Sequence, residues 1–310
     1  MYIEQGYRGD LGRWKYFFLP VGFLTLMALN FIAVSQSEIS VEDTYAEAIE
    51  MMGKNLFLII NLAFLAFGLA VVLFWTRFVH PQSLRSLTTS RPRVDWKRVA
   101  FAFLLWGGIT TGFTLLDVAL SPEDYVLNFR WEAFWKLAVI GILLIPLQTS
   151  FEEYLFRGHM MQGLGIISGN RWVPLVVTSV LFGILHIANP EVEKLGYLSL
   201  VYYIGTGFFL GIITLMDEGL ELALGFHAAN NLITALLVTA DWTAFQTDSI
   251  YLDISEPGLG WDAFIPIFVI FPILIWIFSR KYGWKQWRDR LGGKVLSQSE
   301  ARELFKKETA

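Results

Sequence analysis

The chain has 310 residues and not one cysteine. Disulfides, thiolate zinc sites and a cysteine nucleophile are therefore excluded. Histidine is scarce, with four residues, and charge is scarce as well: Asp, Glu, Lys and Arg make up 17% of the chain. A soluble domain carries about 25%, so much of this surface faces something other than water. Apolar residues fill the gap, at 55% of the total. They recur in runs near twenty residues, the length that crosses a hydrocarbon core of about 30 Å. Twelve tryptophans are present, and Trp14, Trp75, Trp96, Trp131 and Trp172 stand at the edges of such runs, where interfacial belts form. The composition thus implies an all-α, polytopic integral membrane helical bundle. No internal repeat, low-complexity tract or soluble domain is visible.

Eight spans are expected: Tyr16–Val34, Asn55–Trp75, Val99–Leu120, Trp131–Ser150 with a helical continuation, Trp172–Ala188, Tyr197–Met216, Leu220–Ala240 and Asp262–Ser279. The first follows Arg8, Arg13 and Lys15 as a signal peptide would. Its apolar stretch is long, and Ala33-Val34-Ser35 is a poor cleavage site, so it reads as an uncleaved anchor. Lys and Arg gather at the amino terminus, in the connection from Arg77 to Arg98, and in the tail from Arg280 to Lys307. The first, fifth and seventh connections together hold only Lys54 and Lys194, and the first and seventh are acidic. Both termini and the even-numbered connections are therefore expected in the cytoplasm. Three regions are expected within the one membrane domain: N-terminal spans over 1–130, a catalytic core over 131–240, and a last span with a basic tail over 241–310.

A charged group inside a span costs roughly 2.5–3.5 kcal/mol at mid-bilayer, so each needs a reason. Glu152-Glu153 and Arg157 directly follow an apolar run. Four residues separate Glu153 from Arg157, so they can pair on one helix face, while Glu152 points about 100° away and stays available. Phe182 and His186 share a face of the fifth span, and His227 and Asn231 share a face of the seventh. A turn at Ser168-Gly169-Asn170 sets Glu152 and His186 each seventeen residues away, hence at similar height in an antiparallel hairpin. His227 lies about two turns beyond the short turn Asp217-Glu218-Gly219, roughly 10 Å into the same leaflet. One shared site near the cytoplasmic leaflet accounts for all three clusters. His159, seven residues after Glu152, is expected at the cytoplasmic surface, and His80, before Pro81 in a basic connection, has no assigned role.

A carboxylate beside a neutral imidazole can hold a water and take its proton. A His and an Asn on another helix can donate to a developing oxyanion. Together these groups can hydrolyse a peptide bond without a protein nucleophile. Glu152, His186 and His227 could instead ligate zinc around an activated water. Asn231 is a poor zinc ligand and a good oxyanion donor. No H-E-x-x-H occurs, the segment Gly165–Gly169 is one residue too long for a rhomboid G-x-S-G, and no span carries G-x-G-D.

The ordered set E-E-x-x-x-R (Glu152, Glu153, Arg157), F-x-x-x-H (Phe182, His186) and H-x-x-x-N (His227, Asn231) resembles the CPBP family. That family comprises type II CAAX prenyl proteases and bacteriocin-processing or abortive-infection proteins. The resemblance covers about 131–240. It implies an intramembrane endopeptidase acting on a membrane-associated or prenylated-like protein or peptide. Glu152 and His186 would activate the water, His227 and Asn231 would stabilise the oxyanion, and Glu153, Arg157 and Phe182 would support them. Members of the family include both metalloproteases and metal-independent glutamate proteases. The preferred expectation is no required cofactor, with zinc as the alternative. The expected partners are the lipid bilayer and a peptide or protein substrate, with no nucleic acid. The expected location is a prokaryotic cell membrane, with the site facing the cytoplasm. Two other classes compete: a non-catalytic scaffold or immunity protein of the same fold, and a solute or proton transporter. A scaffold needs neither Glu152 nor Asn231, and a transporter usually shows repeated halves and broken helices.

Overall fold

The computed structural model describes residues 1–10 and 12–309. Its frame is helical: α1 (Arg13–Ser35), α2 (Val41–Met52), α3 (Lys54–Phe74), α4 (Leu84–Thr88), α5 (Trp96–Leu120), α6 (Trp131–Glu153), α7 (Met161–Ser168), α8 (Trp172–Ile184), α9 (Pro190–Leu195), α10 (Leu200–Asp217), α11 (Glu221–Leu237), α12 (Phe271–Tyr282), α13 (Trp287–Gly292) and α14 (Gln298–Thr309). Short polar residues start several of them. The Ser40 hydroxyl accepts from the Asp43 N–H at α2, and Asp95 accepts from the Lys97 N–H at α5. A π-helical segment, Tyr154–Met160, joins α6 to α7, and the rod so formed runs from Trp131 to Ser168. Gly169 ends it in the left-handed region (φ +66°), at the turn read from the sequence.

Among the described residues five helices are long and apolar enough to cross a membrane: Arg13–Ser35, Lys54–Val79, Trp96–Leu120, Trp131–Ser168 and Tyr197–Asp217. The other three expected spans are shorter or broken, each for a local reason. α8 tightens into a 3₁₀ turn at Leu185–Ala188 and stops before Asn189-Pro190. α11 ends at Leu237 because Val238 turns extended to pair with Tyr251. In the last, Pro266 and Pro272 divide the chain into a 3₁₀ turn (Trp261–Phe264), a π-turn (Pro266–Ile270) and α12. Large apolar side chains such as Phe67, Leu104, Leu143 and Trp276 point outward, as a lipid-facing surface requires.

The helix carrying His227 is the most enclosed. Every residue from Glu221 to Ala229 is buried. It can sit so deep because Gly225 lets α5 approach: a Cβ there would lie 2.1 Å from the Val99 carbonyl oxygen. Gly207 does the same for α10 against α8, where a Cβ would lie 2.5 Å from the Ser179 oxygen. Phe151, Leu155, Phe156, Phe182, Phe209, Phe226 and Phe271 fill the space between these helices. The rings of Phe209 and Phe226 are 4.6 Å apart, those of Phe209 and Phe271 4.5 Å.

The connections sort to two ends. At one, Ser90 N–H donates to Glu218 O, Leu220 N–H to Thr88 O, Arg171 N–H to Gly293 O and Val295 N–H to Gly169 O. The amino terminus joins them, its ammonium 3.3 Å from Glu218 Oε2. At the other end Glu193 accepts from the Val41 N–H, Lys194 pairs with Glu42, and a three-stranded sheet forms in the order β1 (Tyr125–Leu127), β3 (Tyr251–Asp253), β2 (Val238–Thr239). The termini and the even-numbered connections therefore lie together at one end of the molecule.

One histidine departs from expectation, and a second is enclosed beside it. His159 is buried rather than at the surface. It lies in the π-turn, whose extra residue rotates the helix face, and the start of α1 covers it. Its Nε2 is 3.2 Å from Lys15 O, and its ring is 5.2 Å from Tyr16 and 5.4 Å from His80. His80, in the basic connection before Pro81, is fully buried, and among the described residues neither of its ring nitrogens has a hydrogen-bond partner.

Candidate active site

Glu153 is enclosed with Arg157, whose Nη1 donates to Glu153 Oε1 at 3.1 Å. The pair arises on one helix face, as the four-residue spacing predicts. Arg157 Nη2 donates to Gly207 O at 3.2 Å, and its guanidinium lies 4.2 Å from the Phe182 ring centroid. One arginine thus ties α6 to both α10 and α8. Glu153 has a further partner that spacing alone did not reveal: His227 Nδ1 is 2.8 Å from the same Oε1. A donor Nδ1–H at that contact fixes the imidazole and turns Nε2 toward Glu152, whose Oε2 is 3.7 Å away.

Glu152 Oε1 accepts from Gln148 Nε2 at 2.5 Å. Its Oε2 is buried and, among the described residues, has no hydrogen-bond partner. Gln148 Oε1 in turn accepts from Asn231 Nδ2 at 3.1 Å. Asn231 Oδ1 accepts from Asn230 Nδ2 at 3.1 Å, and Asn230 Oδ1 accepts from the Trp106 indole N–H at 3.1 Å. An indole can only donate and a carboxylate only accept, so the direction of the whole series is set by its two ends. Asn230 and Asn231 each give one amide N–H along this series and keep one. Asn231 is the nearer to Glu152, one link away through Gln148, whereas Asn230 is anchored to Trp106.

His186 sits differently. Its Nδ1 is 2.8 Å from Phe182 O, which places the proton there and leaves the Nε2 lone pair. Its ring stacks on Tyr203 at 4.1 Å and 15°, and the Tyr203 hydroxyl donates to Glu191 at 2.6 Å. Phe182 links it to the rest, 5.0 Å from His186 and 5.8 Å from His227. Among the described residues no hydrogen bond joins His186 to Glu152. The imidazole set beside Glu152 is that of His227.

Residues 131–233 match the family model described as type II CAAX prenyl endopeptidase Rce1-like. That segment, about a third of the chain, is similar to the Rce1-like family. A Bacillus subtilis (strain 168) protein described as uncharacterized protein YyaK is 28% identical over 194 residues, which are 62% of this chain and 65% of that relative. The matched stretch therefore spans just under two thirds of the relative's length. No solved structure gives a significant match. All of Gln148, Glu152, Glu153, Arg157, Phe182, His186, His227 and Asn231 fall inside the Rce1-like segment, whereas Trp106, which begins the amide series, lies on α5 outside it.

A zinc ion fits this donor set poorly. Among the described residues no group of three or more His, Cys, Asp or Glu side chains comes together closely enough to hold a metal. Glu152 and His227 offer two donors, and His227 Nδ1 is already engaged by Glu153. A catalytic zinc takes three protein ligands. Gln148 and Tyr203 are the site residues that sequence reasoning passed over. Gln148 had a signal, a polar residue one turn before Glu152 in an apolar helix. Tyr203 had none.

Proposed function

We propose that the chain is an intramembrane endopeptidase that hydrolyses a peptide bond of a membrane-associated protein or peptide by water activation without a metal. The observation that carries the reading is the Glu152 carboxylate, with one oxygen held by Gln148 and the other unpartnered and facing His227 Nε2. Such an oxygen is placed to accept a proton from water as the water oxygen attacks the scissile carbonyl carbon. His186, with its Nε2 lone pair, assists in holding that water. The oxyanion formed takes hydrogen bonds from the remaining Asn231 N–H and from His227, whose donation requires the imidazolium, with one N–H to Glu153 and the other to the oxyanion. Glu152 then returns the proton to the leaving nitrogen as the C–N bond breaks, giving a carboxylic acid and an amine. The Rce1-like match supports a membrane-anchored, CAAX-type substrate class.

Comparison of the membrane proteomes of cells carrying Glu152→Ala and the parent tests this. An uncleaved protein should accumulate in Glu152→Ala, and the purified parent should cleave it. Identical proteomes would favour the scaffold reading. Loss of activity on zinc removal, with recovery on zinc addition, would overturn the metal-free mechanism.

A further inference from the structure

A groove of about 720 Å³ lies between α1 and α3 and opens sideways. One wall is α1 from Trp14 to Phe23, the other α3 from Phe64 to Val72, and the floor is Phe151 and Leu155 of the long rod. Ten residues of α1 rise about 15 Å, half the hydrocarbon thickness. The groove therefore runs through one leaflet, the one bordered by the end that holds the amino terminus. Gly22 keeps it open: its position is exposed, and an added Cβ would meet nothing within 4 Å.

At the outer end of the groove the Trp14 and Trp75 rings are 6.1 Å apart, and Phe18 stacks on Trp75 at 4.9 Å. Arg13 directly precedes Trp14, and Arg77 follows Trp75 by two residues with its guanidinium 5.7 Å from the Phe78 ring. Both are exposed, and neither makes an ion pair among the described residues. Lys15 beside them is already paired with Asp10. Two unpaired guanidiniums at the membrane interface suit a phosphate, which they can bind through paired N–H groups. A transmembrane helix is a poor occupant, since it is about 10 Å wide and needs a path through both leaflets. A hydrocarbon chain needs only one.

We propose that this groove holds one hydrocarbon chain of an anionic phospholipid, with its phosphate against Arg13 and Arg77. The chain would lie on Phe151 and Leu155, the residues on either side of Glu152–Tyr154, and so support the back of the helix that presents Glu152. This proposal does not depend on the chain being a protease.

Native mass spectrometry of the full-length protein, delipidated in detergent and titrated with dioleoyl phosphatidylglycerol or dioleoyl phosphatidylcholine, tests it. The parent should retain one phosphatidylglycerol in preference to phosphatidylcholine. Arg13→Gln with Arg77→Gln should lower that preference by about fivefold per arginine. Gly22→Leu, which fills the groove, should lower retention of both lipids. Equal retention of the two lipids by the parent would overturn the proposal. So would undiminished retention by Gly22→Leu, because the lipid would then sit elsewhere. If Gly22→Leu fails to fold, the exposed double arginine variant decides alone, and an unchanged preference would reject the site.

Discussion

At the scale of single residues, the two adjacent asparagines differ by their place in the hydrogen-bonded series. Asn231 is one link from Glu152 and is the one expected to give its second N–H to a reacting oxygen, whereas Asn230, anchored to Trp106, orients Asn231. Asn231→Ala should cost about 10²–10³-fold, mainly in kcat. Trp106→Phe and Asn230→Ala should cost roughly 2–10-fold, the worth of one neutral hydrogen bond. Single-turnover cleavage of the substrate found by the proteome comparison measures all three, and equal losses would refute the division. His80 gives a second residue-scale expectation. Burial holds its imidazole below the ordinary value, with a further push from the Lys15 ammonium that Asp10 partly opposes. The unfolded chain then binds the extra proton, so stability present above about pH 6.5 falls as pH drops below that value. His80→Phe should flatten this acid limb in a plot of Tm against pH; an unchanged limb would exclude His80 as its source. The spacing of Glu153, Arg157, His227 and Asn231 was readable because helical periodicity fixes which side chains share a face. That Glu153 also holds His227 was not, since the contact joins residues 74 apart.

At the scale of elements, the rod from Trp131 to Ser168 depends on Arg157. This side chain is fully buried between Glu153, Gly207 O and the Phe182 ring. Arg157→Ala leaves a buried carboxylate short of its cation and should cost about 3–5 kcal/mol, read as lowered thermal stability in detergent. Arg157→Lys should recover part of the loss, because an ammonium keeps the charge but cannot span Glu153 and Gly207 as a planar fork does. Full recovery would mean that charge alone matters. The long apolar helices were legible from hydropathy. The breaks were less so: prolines at 266 and 272 signal one, but the shortening of α11 comes from a strand pairing across the loop with Tyr251, which local sequence does not announce. The amphipathic α2 was also missed, since its acidic residues marked a connection rather than a helix.

At the scale of the molecule, the two ends differ in charge as well as in content. Arg91 and Arg98 meet Asp217 and Glu221 at the end that holds the termini, and the tail adds Arg290 against Glu218. A chain without cysteine allows single-cysteine labelling without background. Ser37→Cys and Glu256→Cys, both exposed at the sheet-bearing end, should react with an impermeant maleimide from outside intact cells. Arg93→Cys and Ser299→Cys, exposed at the other end, should react only after permeabilisation. The reverse pattern would invert the orientation.

The Glu153–Arg157 pair also has a consequence for biogenesis. Its members are four residues apart, so they can neutralise each other as soon as that stretch coils. His227 emerges from the ribosome 74 residues later, roughly 4–15 s at ordinary synthesis rates. During that interval the helix must partition into lipid without its imidazole partner. A self-neutralised segment can leave the translocon as a stable unit and wait, and the late helix then docks onto a carboxylate already in place.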